Sequence, residues 1–175
     1  MIFKGKQEYP VILEKIAEEM ATLRSKLSAD VYHEGSETHR GKQEHEISKL
    51  GILAELVAQN FLVENSIPFK SATLVDVHPL PEPDIVIDGK LIDVKGVKKS
   101  TTNLYVNYKA HLNSKKKCDF YWFVKLMPDY TAEHYLVAHS EVSNWQVKEL
   151  RYTKAFVNKL MRKEQYNENS RVYAT

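Results

Sequence analysis

The chain has 175 residues, a formal net charge of +2 and 43% hydrophobic residues, values typical of one globular domain with a sizeable core. Its one cysteine, Cys118, excludes an intrachain disulfide and favours a reducing compartment. The sequence contains no apolar run of membrane-spanning length, no apolar signal-peptide core, no zinc-type Cys/His spacing and no glycine-rich phosphate loop, so we expect none of those functions.

The first part of the chain predicts two helices. Apolar residues recur at helical spacing over residues about 9–27, and the polar residues 28–43 predict a loop. A second amphipathic helix follows over residues 47–62.

Glu55 lies in this second helix, at the border of its apolar stripe. It falls between the small residues Gly51 and Ala58, which would let the helix lie close to a sheet. The alternative is a solvent-exposed glutamate, which is the usual fate of a helix glutamate.

Residues 69–78 predict a first strand, and residues 83–95 predict a tight hairpin. Asp88-Gly89 tolerates the positive φ angles of a two-residue turn between aliphatic runs. Counting outwards from this turn places Asp84 opposite Asp93, with Lys95 on the same face. Facing carboxylates destabilise a sheet unless a cation compensates them, so the hairpin predicts a divalent metal beside a lysine. The alternative is an ordinary hairpin in which Lys95 pairs with Glu82 across the same register. The opposite face is predicted to be buried: Ile85, Ile87, Ile92 and Val94.

The remaining elements predict a sheet closed by a helix. A short helix begins at Tyr108, and residues 120–126 are apolar on both faces, as in a central strand. Another strand is predicted over residues 134–139 and a closing helix over residues about 145–163, before a polar tail. We therefore expect an α/β fold, a three-layer sandwich with a central mixed β-sheet flanked by helices, in a single domain over residues 1–175 whose core spans about 44–140.

The positive charge is unevenly distributed. Residues 90–117 contain eight lysines and one acid, Asp93. A basic block of this kind suits phosphate binding, although lysine runs are often only solvated surface. The candidate lysines outside the hairpin are Lys98, Lys99, Lys109, Lys115, Lys116 and Lys117.

Pro83-Asp84 followed by Asp93-Val94-Lys95 resembles the signature of the PD-(D/E)xK nuclease superfamily. Glu55 matches the glutamate that members of this family usually carry on an upstream helix, and the resemblance covers about residues 44–127. It implies a restriction-endonuclease-like core and a Mg²⁺- or Mn²⁺-dependent endonuclease that hydrolyses phosphodiester bonds of DNA, with RNA not excluded.

The resemblance also implies roles for particular residues. Asp84, Asp93, Glu55 and the main-chain carbonyl of Val94 would hold the metal ion, and Lys95 would assist the attacking water. Candidate phosphate contacts on the short helix are Tyr108, Lys109 and His111, which join the lysines already named.

Two alternatives stay open. One is a catalytically inactive nucleic-acid-binding module of the same fold, and the other is a protein whose acidic hairpin holds only a structural cation. We expect a cytoplasmic protein, prokaryotic or phage-encoded by analogy with the family. A homodimer would supply the two active sites that cutting both DNA strands often requires.

Overall fold

A computed structural model describes residues 2–31, 42–72, 83–115, 117–151 and 153–160. Two long helices follow the first strand, and most of the remaining elements are strands. The bounds are β1 (Ile2–Glu8), α1 (Ile12–Val31), α2 (Lys42–Glu64), β2 (Lys70–Ser71), β3 (Ile85–Ile87), β4 (Lys90–Val97), β5 (Asn103–Asn107), α3 (Tyr108–Leu112), β6 (Phe120–Leu126), β7 (Thr131–Ala138), α4 (His139–Val142), β8 (Gln146–Glu149) and β9 (Lys154–Lys159).

The strands form two sheets. A six-stranded sheet has the order β1-β7-β6-β4-β3-β2, in which β4 and β6 are parallel and every other neighbouring pair is antiparallel. A smaller antiparallel sheet has the order β5-β9-β8. The expected α/β class with a mixed sheet is therefore confirmed.

The large sheet separates two hydrophobic cores. On one face, residues of α1 and α2 such as Ala17 and Ile52 pack with Ile92 and Trp122 of the sheet. On the other face, Phe123 packs with residues of the small sheet. Neighbouring residues of β6 thus belong to different cores because side chains alternate along a strand. This confirms that β6 is a central strand.

Helix α2 approaches the sheet closely at Gly96 of β4. A Cβ atom at Gly96 would lie 2.7 Å from the backbone oxygen of Leu50, whereas a Cβ atom at Gly51 would meet nothing within 4 Å. The expectation that Gly51 permits the close approach is therefore wrong, since the strand supplies the glycine. Ala58, by contrast, is fully buried as expected.

The predicted closing helix over residues 145–163 is wrong. Residues 146–149 and 154–159 form the antiparallel strands β8 and β9, and residues 161–163 lie outside the described residues. Phe156 is buried in the second core, and β9 pairs with β5 from Ala155 to Lys159. This long-range pairing with burial overrides the helical spacing of the apolar residues.

Several other boundaries also differ from those predicted. Helix α1 runs to Val31 and α2 already begins at Lys42, so the predicted 28–43 loop is wrong at both ends, and its centre, 32–41, lies outside the described residues. Of the strand predicted over 69–78, Lys70 and Ser71 form β2, and residues 73–78 lie outside the described residues, as does the 164–175 tail. Strands β1 and β5 were not predicted.

Among the described residues, no helix is both long enough and apolar enough to cross a membrane.

Candidate active site

The hairpin of β3 and β4 has the predicted register. Asp88 and Gly89 have φ angles of +49° and +74°, as a two-residue turn of the primed type requires. Ile85 pairs with Ile92, so Asp84 is the next residue outwards, opposite Asp93. An oxygen of the Asp84 side chain accepts a hydrogen bond of 2.6 Å from the backbone N–H of Val94, which continues the hairpin beyond its last strand pair.

Lys95 contacts Asp93 on the shared strand face. Its Nζ lies 2.7 Å from Asp93 Oδ1, and the two side chains are 38% and 34% exposed. Burial alone would lower the pKa of Lys95, but the charge and hydrogen bond of Asp93 and the charge of Asp84 raise it overall. Lys95 is therefore an ammonium group at neutral pH. The alternative pairing with Glu82 lies outside the described residues.

The carboxyl groups of Glu55 and Asp84 are crowded and partly withdrawn from water. Burial, followed by the charge of Asp84, raises the pKa of Glu55 to about 8, and the positive charges of Arg24 and Lys95 offset only part of this rise. Burial, followed by the charge of Asp93, raises the pKa of Asp84 to about 7. Glu55 is therefore not a solvent-exposed residue of a helix surface, because it lines a cavity together with the hairpin carboxylates.

This cavity has a volume of about 430 Å³ and joins the helix, the hairpin and β6. The predicted residues Glu55, Asp84, Asp93, Val94 and Lys95 all contribute to its wall. Its other lining residues are Pro83, Leu91, Val106, Asn107, Ala110, Lys115, Lys117, Cys118 and Tyr121.

Sequence reasoning missed the residues that attach β6 to the hairpin. Asp119 Oδ2 accepts a hydrogen bond of 2.8 Å from the backbone N–H of Leu91, and the Asp119 N–H donates to the Leu91 carbonyl at 2.7 Å. The parallel pairing of β4 with β6 then sets Tyr121 beside Asp93. Asp119 and Tyr121 could be recognised only from this strand pairing, which joins residues 28 apart in sequence.

Cys118 also lines the cavity, and it is a neutral thiol. Burial, assisted by the charge of Asp93, raises its pKa to about 11, although the neighbouring Tyr121 acts in the opposite direction. A thiol with this pKa is a poor nucleophile at neutral pH. Cys118 thus belongs to the wall of the cavity.

Some of the candidate lysines line the cavity and others do not. Lys115 and Lys117 line the cavity next to the carboxylate cluster. Lys98 and Lys99 are exposed in the turn after β4 and do not line it. Lys116 lies outside the described residues.

The candidates on α3 do not line the cavity. The Tyr108 ring stacks on Phe156 with ring centroids 5.2 Å apart, and Lys109 is exposed. His111 is 4% exposed and both of its ring nitrogens are hydrogen-bonded within the protein, so a phosphate contact would require one of these bonds to break. The polar residue next to α3 that does line the cavity is Asn107.

The carboxylates do not form a preassembled metal site. In the described part of the chain, no group of three or more His, Cys, Asp and Glu side chains is arranged to hold a metal ion. Asp93 is directed at Lys95 and Asp84 at the Val94 N–H. The donor chemistry nevertheless suits a hard divalent cation, because Glu55, Asp84 and Asp93 supply oxygen atoms. Burial and then neighbouring negative charge raise the pKa values of Glu55 and Asp84, so a cation would favour their ionised forms.

Comparisons with protein-family models, with curated proteins and with solved structures found no match to this chain.

Proposed function

We propose that this protein is a divalent-metal-dependent DNA endonuclease with a restriction-endonuclease-like core, related to the PD-(D/E)xK nucleases. One observation carries the proposal. Glu55 from α2, Asp84 and Asp93 from the hairpin and Lys95 from β4 line the same cavity, although up to 40 residues separate them in sequence.

The three carboxylates are the residues that would hold the metal, together with the carbonyl of Val94. Mg²⁺ and Mn²⁺ prefer such hard oxygen donors. Burial, followed by the charge of neighbouring carboxylates, raises the pKa values of Glu55 and Asp84, and a divalent cation would favour their ionised forms. When bound, the ion would polarise the scissile phosphate and lower the pKa of a water molecule.

Lys95 acts as a positive hydrogen-bond donor in this proposal and not as a base. Its raised pKa keeps it protonated at neutral pH, and its Nζ lies beside Asp93. A fixed ammonium group can orient the attacking water and stabilise the negative charge that develops on the phosphate. Asp93 holds this ammonium group in the cavity.

Lys115 and Lys117 would attract the substrate. An unneutralised carboxylate cluster repels DNA, and these two side chains bring positive charge to the wall of the same cavity. The exposed Lys98 and Lys99 lie further along the chain from the hairpin and would contact phosphates outside the cavity. The resulting arrangement is a metal-binding centre bordered by phosphate contacts.

The test is cleavage of plasmid and branched DNA with Mg²⁺ and then with EDTA. We expect Mg²⁺-dependent cleavage by the unaltered protein, loss of cleavage in Lys95→Ala with folding and metal binding retained, and weaker metal binding in Asp84→Asn. Lys15→Ala, which removes an exposed lysine of α1 that does not line the cavity, is the matched control and should cleave normally.

The outcomes separate the alternatives. DNA binding without cleavage would indicate an inactive nucleic-acid-binding module. Binding of Mg²⁺ with neither cleavage nor DNA binding would indicate a structural cation. Full cleavage by both Lys95→Ala and Asp84→Asn would disprove the assignment of the site.

A further inference from the structure

A buried imidazole lies behind the cavity wall. The ring of His111, in α3, stacks on that of His139 with centroids 3.9 Å apart and meets Phe156 edge-on at 4.8 Å. With 4% of its surface exposed, His111 is closed off from solvent and from any substrate. A buried polar ring of this kind requires hydrogen-bond partners, and their identity indicates what it does.

His111 connects three separate parts of the fold. Its Nδ1 lies 2.9 Å from the hydroxyl of Tyr121 in β6, and its Nε2 lies 2.9 Å from the hydroxyl of Ser143 after α4. These two hydrogen bonds connect α3 to β6 on one side and to the segment after α4 on the other.

The two hydroxyl groups satisfy both nitrogens of the ring. Burial lowers the pKa of His111, so one nitrogen of the neutral ring donates and the other accepts. A hydroxyl group can take either role, so each nitrogen has a matching partner.

The hydrogen bond between His111 and Tyr121 joins two walls of the cavity. Tyr121 and Cys118 line the cavity from the side of β6, whereas Asn107 and Ala110 line it from the side of α3. Helix α3 has only five residues, which is too short to be stable without tertiary contacts. The bond from His111 to Tyr121 is a direct polar contact between these walls.

We propose that His111 is a positioning residue, which holds α3 as a wall of the cavity through its hydrogen bonds to Tyr121 and Ser143. The consequence for catalysis rests on the proposed nuclease function. If these bonds break, the wall that carries Asn107 and Ala110 moves relative to Lys95, and the substrate is oriented less well.

The first test is the tautomer of His111 in the unaltered protein. Because two hydrogen bonds hold the ring, its nitrogen shifts in a ¹⁵N NMR spectrum at pH 7.5 should show a single tautomer, with one protonated and one unprotonated nitrogen. Shifts averaged over both tautomers would overturn the proposal, because the ring would then not be held by fixed bonds to Tyr121 and Ser143.

The second test compares two substitutions at the same position. His111→Asn keeps an amide group near the place of Nδ1, and His111→Gln keeps one near the place of Nε2. We expect amide hydrogen exchange in α3 to accelerate by about tenfold in His111→Gln and by less than about threefold in His111→Asn. A residue that served only to fill space would give similar exchange in both variants, and this result would overturn the proposal.

Two further variants keep the test decisive. Tyr121→Phe removes only the hydroxyl and should accelerate amide exchange in α3 as His111→Gln does. This variant can be measured even if His111→Gln does not fold. Leu112→Ala, at a 57% exposed position of the same helix, should leave exchange unchanged. Protection of α3 that is unaltered in Tyr121→Phe would contradict the proposal.

Cleavage kinetics distinguish this inference from the proposed function. His111→Gln should lower kcat by about tenfold with KM changed by less than about twofold, and His111→Asn should restore most of kcat. If the unaltered protein does not cleave DNA while the tautomer and exchange results are as expected, the nuclease function fails and the positioning role stands. If it cleaves and both variants have the same kcat, the positioning role fails and the nuclease function stands.

Discussion

Glu55 and the two aspartates of the hairpin share a cavity in which, among the described residues, the ammonium group of Lys95 contacts Asp93. Burial, followed by the charge of a neighbouring aspartate, makes Glu55 and Asp84 harder to ionise, which is why their pKa values are raised. At the scale of single residues, ionisation of these carboxyl groups therefore lowers the stability of the protein, and this is the cost that the proposed metal ion would offset.

The cost of ionising Glu55 in the cavity predicts the effect of Glu55→Gln. Removing the charge should stabilise the metal-free protein at pH 8 by roughly 1–2 kcal/mol and abolish cleavage, because the repulsion and a metal ligand disappear together. Urea denaturation in EDTA measures the first effect. Glu46→Gln, at an exposed position of the same helix, should change stability by less than about 0.5 kcal/mol. Lower stability of Glu55→Gln at pH 8 would contradict the repulsion argument.

At the scale of elements, the predictions that succeeded are those that depend on local chemistry. The turn at Asp88-Gly89 determines the register of its own hairpin within a few residues, so the positions of Asp84, Asp93 and Lys95 followed from counting. Asp119 and Tyr121 could not be predicted in this way, because their roles depend on the parallel pairing of β4 with β6. The same long-range dependence explains why residues 146–159 were predicted as a helix.

The contact between α2 and β4 predicts opposite effects for two glycine substitutions. Gly96→Ala would place a Cβ atom 2.7 Å from a backbone oxygen of Leu50 and push α2 away from the sheet. We expect a loss of about 1–3 kcal/mol and weaker Mg²⁺ binding, since Glu55 moves with α2. Gly51→Ala meets no atom within 4 Å and should stabilise the helix by about 0.5–1 kcal/mol. Thermal denaturation and Mg²⁺ titration test both, and equal effects would contradict the packing argument.

At the scale of the whole molecule, a second buried histidine joins β6, β7 and β1. His134 is 1% exposed and accepts a 3.0 Å hydrogen bond from Trp122 Nε1–H, so its Nε2–H donates to Gln7 Oε1 at 2.7 Å. Gln7 then donates to Glu64 of α2 at 2.7 Å. Burial lowers the pKa of His134 to about 4. The core of this protein therefore contains a neutral imidazole whose protonation opposes folding.

These shifted groups predict the pH dependence of stability. Between about pH 4 and 6.5 the folded state binds fewer protons at His134 than the unfolded state does, so this group raises stability as pH rises and its contribution is lost on acidification. Glu55 and Asp84 lower stability as pH rises, which is opposite to the effect of His134. The reason is that their folded pKa values of about 8 and 7 exceed the ordinary values of 4.5 and 3.8. Of these three groups, Glu55 and Asp84 are the ones that still titrate above pH 6.5.

The stability of the metal-free protein should therefore fall between pH 6.5 and 8. Urea denaturation in EDTA at several pH values gives this slope. The stabilisation by added Mg²⁺ should increase over the same range, since the metal requires ionised carboxylates. A flat profile from pH 6.5 to 8 in EDTA would contradict the raised pKa values, and His134→Ala should leave this slope unchanged while it alters the region below pH 6.5.

The position of β1 has a consequence for synthesis on the ribosome. β1 is made before the other described strands, but its partner strand in the described structure is β7, so that Ile2 must wait for Leu136. The hairpin and α2 are complete long before that point, whereas the edge of β6 stays open until β7 emerges. A nascent chain thus carries Glu55, Asp84 and Asp93 for some time before its six-stranded sheet is complete, because β1 and β7 are the neighbouring strands that lie furthest apart in sequence.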